Sequence, residues 1–458
     1  MVHDEAKARE LRSATLPPWI LNSDGKYQRF MEYVCNVYEL PSRLRQLKDG
    51  RVDPKHVTFD VVNSLVQAAL LRLPSINAIE GDLTEADFQQ VIGRKPKQDV
   101  KAFSAEVIYN TLDKLHVGGL RDGIEDVLWT AERNKAFRDD SYSTLRVVAL
   151  DGWEPFSSYE RHGDCCLERR VKWKNPDTGE LEERVQYYHR YVVALLVAPL
   201  LDVVLDMEPV RSGEARRQDG EDEHHEGELT AGLRLMDRLH TTYGSFIDAF
   251  TLDALYANGP VMTKLDGYGY GAFIVLKKEN NEPLKDALAL WQGQGPCDQY
   301  YDKDAKEHIE FWDVDDVETL STFKGKVRVV RAVITHDSGK VRTWCFAMVG
   351  ERVRKVGLRA ALKTLRSRWH IENTAFNQWV RYWNLSHVYH HTQAAILAIL
   401  LLWAFVFNLL QLFVYRRLKR LRDPKDPIDT IRHIVEMISR EISKIDAPVP
   451  WKALANTG

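Results

Sequence analysis

The sequence predicts an α/β protein: a mixed sheet with an inserted β domain, preceded by a helical N-terminal domain. Three observations predict it. Up to about residue 140 apolar side chains recur at helical spacing. Beyond that point β-rich runs alternate with helical ones, and two of those runs end in Asp.

In order, residues 26–47 and 56–73 are predicted helices, broken near Pro54 and Pro74, and 121–138 is a third that ends in the basic ERNKAFR. Strands are predicted over 144–151 (TLRVVALD), 186–198 (QYYHRYVVALLVA) and 200–210 (LLDVVLDMEPV), with turn-forming NPDTG at 175–179 before the last two. A helix over 228–243, a strand over 246–253 (FIDAFTLD), a helix over 256–267 and a strand over 271–278 (GAFIVLKK) follow. The segment 279–352 is β-rich, with 326–336 and 340–349 forming an antiparallel pair across a turn at 337–339. A long helix over 356–383 and an apolar one over 393–413 complete the pattern.

This divides the chain into a helical domain (1–140), the first part of an α/β core (141–278), a β-rich insertion (279–352), the core's C-terminal helices (353–422) and a tail (423–458). Three adjacent strands, then helix, strand, helix, strand, resembles the ribonuclease-H-like fold.

Composition sets limits. The 458 residues suffice for a large core and two or three sub-domains, and 44% hydrophobic with 28% charged argues against disorder. A net charge of -3 does not announce a nucleic-acid partner, which needs only local basic surface. Five cysteines, an odd and sparse set, point to a reducing compartment rather than a disulfide framework. The first residues, MVHDEAKARE, are charged and lack a signal-peptide core. The run 393–413 is long and apolar enough to span a membrane, with basic RRLKRLR after it. Gln393, Asn408 and Gln411 interrupt it, so a buried helix is expected.

Asp151 and Asp253 close two predicted strands, and sites in open α/β sheets form at such carboxyl ends. They lie 102 residues apart and meet only if their strands pair. Glu372 on a later helix is the third carboxylate. Hard Mg²⁺ takes one or two carboxylates with water and phosphate, so three could serve two ions in phosphodiester chemistry. An Asp after a strand is also ordinary turn chemistry, and Asp202 and Asp206 are assigned nothing.

Three motifs carry a family resemblance. Asp151-Gly152 followed by Ser157-Ser158, TLDALYANGP around Asp253, and RSRWHIENTAFN with Arg368, Trp369, Ile371, Glu372 and Phe376 resemble the signatures of DDE-type insertion-sequence transposases. The similarity covers roughly 145–412, with room for a β-rich insertion between Asp253 and Glu372. It implies that Asp151, Asp253 and Glu372 are catalytic and bind Mg²⁺, for which Mn²⁺ substitutes. It also implies double-stranded DNA ends and target as partners, a homodimer on DNA, no membrane, and a cytoplasmic, nucleoid-associated, prokaryotic setting. Leu365 and Trp379 stand where the related signature has Tyr and Lys, so phosphate contact falls to Arg381 or Arg366. Arg368 and Glu372, four apart, share a helix face. Arg359, Lys363 and Arg366 form a basic stripe before them that suits DNA phosphate or, equally, a solvated face. Lys135 and Arg138 in the helical domain are candidates for end recognition. A ribonuclease-H-like nuclease, an inactive DNA-binding relative and a membrane-anchored protein are the rival readings.

Other residues are weighed against plainer roles. His162, Cys165, Cys166 and His189 offer zinc donors, but adjacent cysteines suit one tetrahedral ion poorly, so free or buried thiols are expected. The acidic 221–228 run (EDEHHEGE) is expected to be a solvated loop. Trp291 and Trp312 could stack on an extruded base, with core packing preferred. His390 and His391 are unassigned.

Overall fold

A computed structural model describes residues 25–418 except 96, 98–99, 139–140, 176–178, 223, 278–280 and 319, together with 434, 436–438 and 440–441. Most of the expected tail over 423–458, residues 419–422 of the basic run, and the first 24 residues lie outside the described residues.

The described strands are β1 (Val147–Trp153), β2 (Ser157–Ser158), β3 (Leu167–Lys174), β4 (Leu181–Tyr188), β5 (Tyr191–Val197), β6 (Val203–Pro209), β7 (Ala249–Leu252), β8 (Gly271–Leu276), β9 (Asp298–Asp302), β10 (Glu307–Val317), β11 (Val327–His336) and β12 (Val341–Val349). Nine of them form one mixed sheet in the order β6-β5-β1-β7-β8-β12-β11-β10-β9. In its first half, β1, β7 and β8 run parallel and β5 runs against β1. Every residue of β5, β7 and β8 is buried, because helices cover both faces of this half.

Two expectations are modified. The segment 279–352 is not a separate β domain: β12 pairs with β8, and β11, β10 and β9 continue the same sheet outward. An unpaired β8 edge would have exposed a row of backbone groups, and β12 occupies it. The run 186–198 is two strands, β4 and β5, separated at His189 and Arg190. The turn-forming 175–179 segment lies between β3 and β4, which pair in a small second sheet with β2.

The apolar run is the helix Gln393–Arg417, with residues 395–414 all buried. It packs against β6 on one side and against the helices Lys26–Tyr38, Thr58–Leu71, Ala105–Lys114 and Val117–Arg133 elsewhere. A helix surrounded by protein can be apolar all round. Its polar interruption has a role too. The Asn408 amide donates to the Val204 carbonyl and accepts from the Val204 N–H, each at 2.7 Å. That satisfies the edge strand β6 where its register with β5 shifts.

Asp206 and Glu208 on β6 are structural. Asp206 pairs with Arg121 at 2.9 Å and with Arg238. Glu208 pairs with Arg238 at 2.6 Å and with Arg234. These buried carboxylates clamp the helices Val117–Arg133 and Glu228–Tyr243 to the sheet edge.

Candidate active site

The central pair of strands sets the geometry. β1 and β7 are parallel neighbours with Val147 opposite Ala249 and Ala149 opposite Thr251. Two residues beyond the last paired positions, the same offset of 102 residues carries on to Asp151 and Asp253, and Asp253 is near enough to act on the Asp151 carboxyl. Asp253 caps the short turn Ala254–Tyr256, its Oδ1 accepting from the Leu255 N–H at 2.8 Å. Asp151 Oδ1 accepts from the Gly152 N–H at 2.9 Å, and its Oδ2 accepts from Arg368 at 2.5 Å.

The expected long helix over 356–383 is broken. An α-helix covers Leu358–Arg366, a π-helical segment covers Ile371–Phe376 and α-helix resumes over Asn377–Tyr382. Such widened turns recur at functional sites because they re-aim a side chain. Buried Ile371 and Ala375 seat the segment against β1 and β5, and Trp153 stacks on Phe376 at 5.6 Å. Glu372 is thereby left half exposed, with Arg368 donating to it at 3.2 Å. One guanidinium, itself only 11% exposed, bridges Asp151 and Glu372. His370 fixes the approach: its Nδ1 lies 3.1 Å from Asp202 and its Nε2 3.3 Å from the Tyr142 hydroxyl. That gives Asp202 a role the sequence did not supply.

The expectation of a solvated loop over 221–228 holds for Glu221, Asp222, His224 and His225 and fails at its end. Glu226 is buried and pairs with Arg234 at 2.5 Å. Glu228 opens the helix Glu228–Tyr243 and lies against Gly152. A Cβ at position 152 would stand 2.3 Å from Glu228 Oε2, so any larger residue there would displace the Glu228 carboxylate from beside Asp151. Arg190 bridges Glu228, at 3.3 Å, and Glu154.

The electrostatics follow from this crowding. Burial pushes the Asp151 carboxyl up; the Arg368 guanidinium opposes it, Glu372 and Asp253 add to it, and the result is about 6. Glu228 is pushed up to about 7 by burial, against Arg190, with Asp151, Asp253 and Glu154 adding to the rise. The Tyr256 hydroxyl is fully buried beside Gly232, one turn along the helix from Glu228, and has no hydrogen-bond partner among the described residues. Its phenol is held well above the ordinary range by burial and then by Glu228, Asp253 and Asp151.

The basic candidates divide. Arg366 pairs with Glu307 at 3.3 Å, and Arg359 pairs with Asp298 at 3.2 Å while lying over Tyr300. Lys363 and Arg381 are exposed. Leu365 and Trp379 are each 1% exposed and belong to the core. Lys135 and Arg138 line a cavity of about 420 Å³ with Arg146 and Arg352. Trp291 is buried, and Trp312 is half-buried under Arg331 with its Nε1 donating to the Gln294 carbonyl.

His162, Cys166 and His189 line a cavity of about 80 Å³ with His391. Cys166 Sγ lies 3.5 Å from His189 Nε2, and Cys165 donates to the His391 carbonyl at 3.3 Å. His390 is buried and faces Asp113 at 3.5 Å. Among the described residues, no three His, Cys, Asp or Glu side chains stand close enough together to hold a metal ion as they are placed. At the carboxylate site the Arg368 guanidinium lies between two of the acids.

Fold and site together define a mixed α/β protein with an acidic centre at the carboxyl ends of its middle strands. No protein-family model and no curated protein matches the chain. Among solved structures it is similar to piggyBac transposase in a synaptic complex with hairpin DNA, with a TM-score of 0.43 and 9% identity, covering 95% of this chain and 84% of that one. A likeness of that degree assigns neither activity nor residues.

Proposed function

We propose that the chain is a DDE-type DNA transposase that cleaves phosphodiesters at the ends of an insertion element and joins them to target DNA. The observation that carries this reading is the parallel register of β1 and β7, whose offset carries on to Asp151 and Asp253, while Arg368 ties Glu372 to Asp151. The first half of the sheet, with β5 alone reversed among β6, β5, β1, β7 and β8, supports a ribonuclease-H-like core.

The donor atoms are of the type a divalent cation takes, and Asp151 and Glu372 would close on one only with Arg368 displaced from between them. The donors are hard carboxylate oxygens, and burial first, then Glu372 and Asp253, raises the Asp151 carboxyl. Asp151, Asp253 and Glu372 would hold Mg²⁺ or Mn²⁺. The cation supplies activation of the attacking oxygen and stabilisation of the leaving one. Arg368, paired with both Asp151 and Glu372, orients the carboxylates and is suited to a phosphate oxygen once released from them. Exposed Lys363 and Arg381 are available to backbone phosphate; Arg359 and Arg366 would first give up Asp298 and Glu307. The cavity with Lys135 and Arg138 is the candidate for end recognition. Synapsis of two ends calls for a homodimer on DNA, in a prokaryotic cytoplasm at the nucleoid.

The test is strand cleavage of end-containing DNA with Mg²⁺ or Mn²⁺. Wild type cuts and joins, and Glu372→Gln loses at least a hundredfold in rate. Cutting by Glu372→Gln at the wild-type rate would make the assignment wrong, and cutting without joining of pre-cut ends would make the chain a nuclease. One observation favours a second reading, a DNA-binding relative without activity. Leu365 and Trp379, where the related signature has polar residues, are core side chains that offer phosphate nothing. Binding of end DNA with no metal-dependent cutting is its outcome.

A further inference from the structure

Away from the carboxylate centre, one cavity gathers nucleophilic and proton-bearing side chains that the proposed function leaves unused. It encloses about 80 Å³ beside the entry to β3 and is lined by His162, Cys166, Tyr187, His189 and His391. Among the described residues no three donors group around one point there, and what the cavity offers is thiol chemistry. Cys166 has the contacts of an activated thiol. Its Sγ accepts from the Gly163 N–H at 3.4 Å and lies 3.5 Å from His189 Nε2. The Phe156 ring meets the His189 imidazole edge-on at 5.2 Å and holds it in place. Cys165 lies in the same turn, closed by the Cys166 N–H donating to the Gly163 carbonyl at 2.9 Å. Its thiol hydrogen is shared between the His391 carbonyl, at 3.3 Å, and the Cys166 sulfur. The Cys165 thiol first, then His189 and the Gly163 N–H, hold the Cys166 thiol well below its ordinary range, against burial. Cys35, Cys297 and Cys345, by contrast, are all pushed up, with burial the largest cause in each.

We infer that Cys166 and Cys165 form a peroxide-reactive thiol pair, with Cys166 the nucleophile, His189 its proton partner and Cys165 the resolving thiol. In the first step the Cys166 thiolate attacks one oxygen of hydrogen peroxide and the O–O bond breaks. Sulfur takes that hydroxyl as a sulfenic acid, and the other oxygen leaves as water with the proton held at His189. In the second step the Cys165 sulfur attacks the Cys166 sulfur, and the thiol proton leaves with the hydroxyl as water. The two thiols are oxidised to a disulfide while one peroxide is reduced to two waters. Adjacent Cα atoms stand about 3.8 Å apart, closer than disulfides ordinarily span, so this bond is readily reduced again. Its formation also removes the hydrogen that Cys165 donates to His391, two residues before the helix Gln393–Arg417.

The experiment labels the reduced full chain with iodoacetamide at pH 6 and follows each cysteine by peptide mass spectrometry, before and after one equivalent of hydrogen peroxide. Expected is alkylation of Cys166 at least tenfold faster than of Cys297, the exposed one of the five. After peroxide, the peptide that holds both thiols is expected to be lighter by two hydrogens and closed to iodoacetamide. In Cys165→Ser the reaction stops at the sulfenic acid, trapped on Cys166 by dimedone. In His189→Asn alkylation of Cys166 slows at least tenfold. The comparison with Cys297 is made within one wild-type molecule, so it decides the matter even if a variant melts early. Alkylation of Cys166 no faster than of Cys297 overturns the inference, as does peroxide treatment that leaves both thiols open to iodoacetamide. A dimedone adduct on Cys166 as abundant in the wild type as in Cys165→Ser overturns the pairing.

Discussion

Arg368 pairs with Asp151 at 2.5 Å, and the pair joins the end of the central strand to the π-helical segment that follows. The two residues are 217 apart in the chain. Their contact makes the position of Glu372 depend on the position of β1.

Arg368→Ala is expected to destabilise the metal-free protein by about 1–3 kcal/mol, since it leaves two crowded carboxylates without their cation and one of them is half exposed. Arg368→Lys recovers part of that, because one ammonium cannot bridge both acids as a guanidinium fork does. Urea denaturation checks both. No loss in Arg368→Ala would show that the bridge does not hold the segment.

Asp82 ends the helix Ile76–Asp82, and its carboxyl is pushed up to about 6 by burial, then by Asp87 and Glu85. A negative charge at a helix C-terminus is unfavourable as well. For an acid raised on folding, the folded state holds the proton more tightly. The stability it contributes is present below the unfolded value near 4 and is lost as pH rises through about 6. Asp82→Asn should therefore raise stability by about 1 kcal/mol at pH 7.5, after discounting for partial exposure, and change little near pH 4. Melting curves at the two pH values decide it, and an equal effect at both would sink the explanation.

Arg238 reaches both Asp206 and Glu208 beneath the sheet edge. Arg238→Ala leaves buried acids short of a partner, though Arg121 and Arg234 remain. A loss of about 2–4 kcal/mol is expected in chemical denaturation. A loss below about 0.5 kcal/mol would mean the remaining two arginines suffice.

Asn408→Leu tests the buried helix. The variant leaves the N–H and carbonyl of Val204 unpaired in the interior, at a cost of about 2–4 kcal/mol. If the run instead crossed a membrane facing lipid, the same change would strengthen insertion. Fractionation and denaturation of the variant separate the two.

How much of this was legible beforehand depended on the range of the interaction. The strands that carry Asp151 and lead into Asp253 were readable because β-rich runs arrive at carboxylates, though β1 continues to Trp153. The helix Glu228–Tyr243 was readable from its period, yet Glu228 was assigned to the acidic loop it borders. A Gly followed by Glu before an apolar period is a helix start, and that signal was available. β3 was missed because its charged residues alternate on an exposed strand whose burial pattern is weak. The insertion was read as a separate domain because strand content says nothing about which edge a strand joins.

By itself, the sequence determined the local elements: alternating strands and helices, the carboxylates at strand ends, the Arg368–Glu372 spacing and the apolar run. Those follow from periodicity and chain-local chemistry. Tertiary structure alone decided that β1 and β7 are neighbours in a register that leads to two acids 102 residues apart. It alone decided that Asn408 answers the β6 backbone, and that Gly152 admits Glu228. The reason is physical: pairing, burial and close approach are properties of residues that meet in space, and no spacing along the chain encodes which distant segment will meet which.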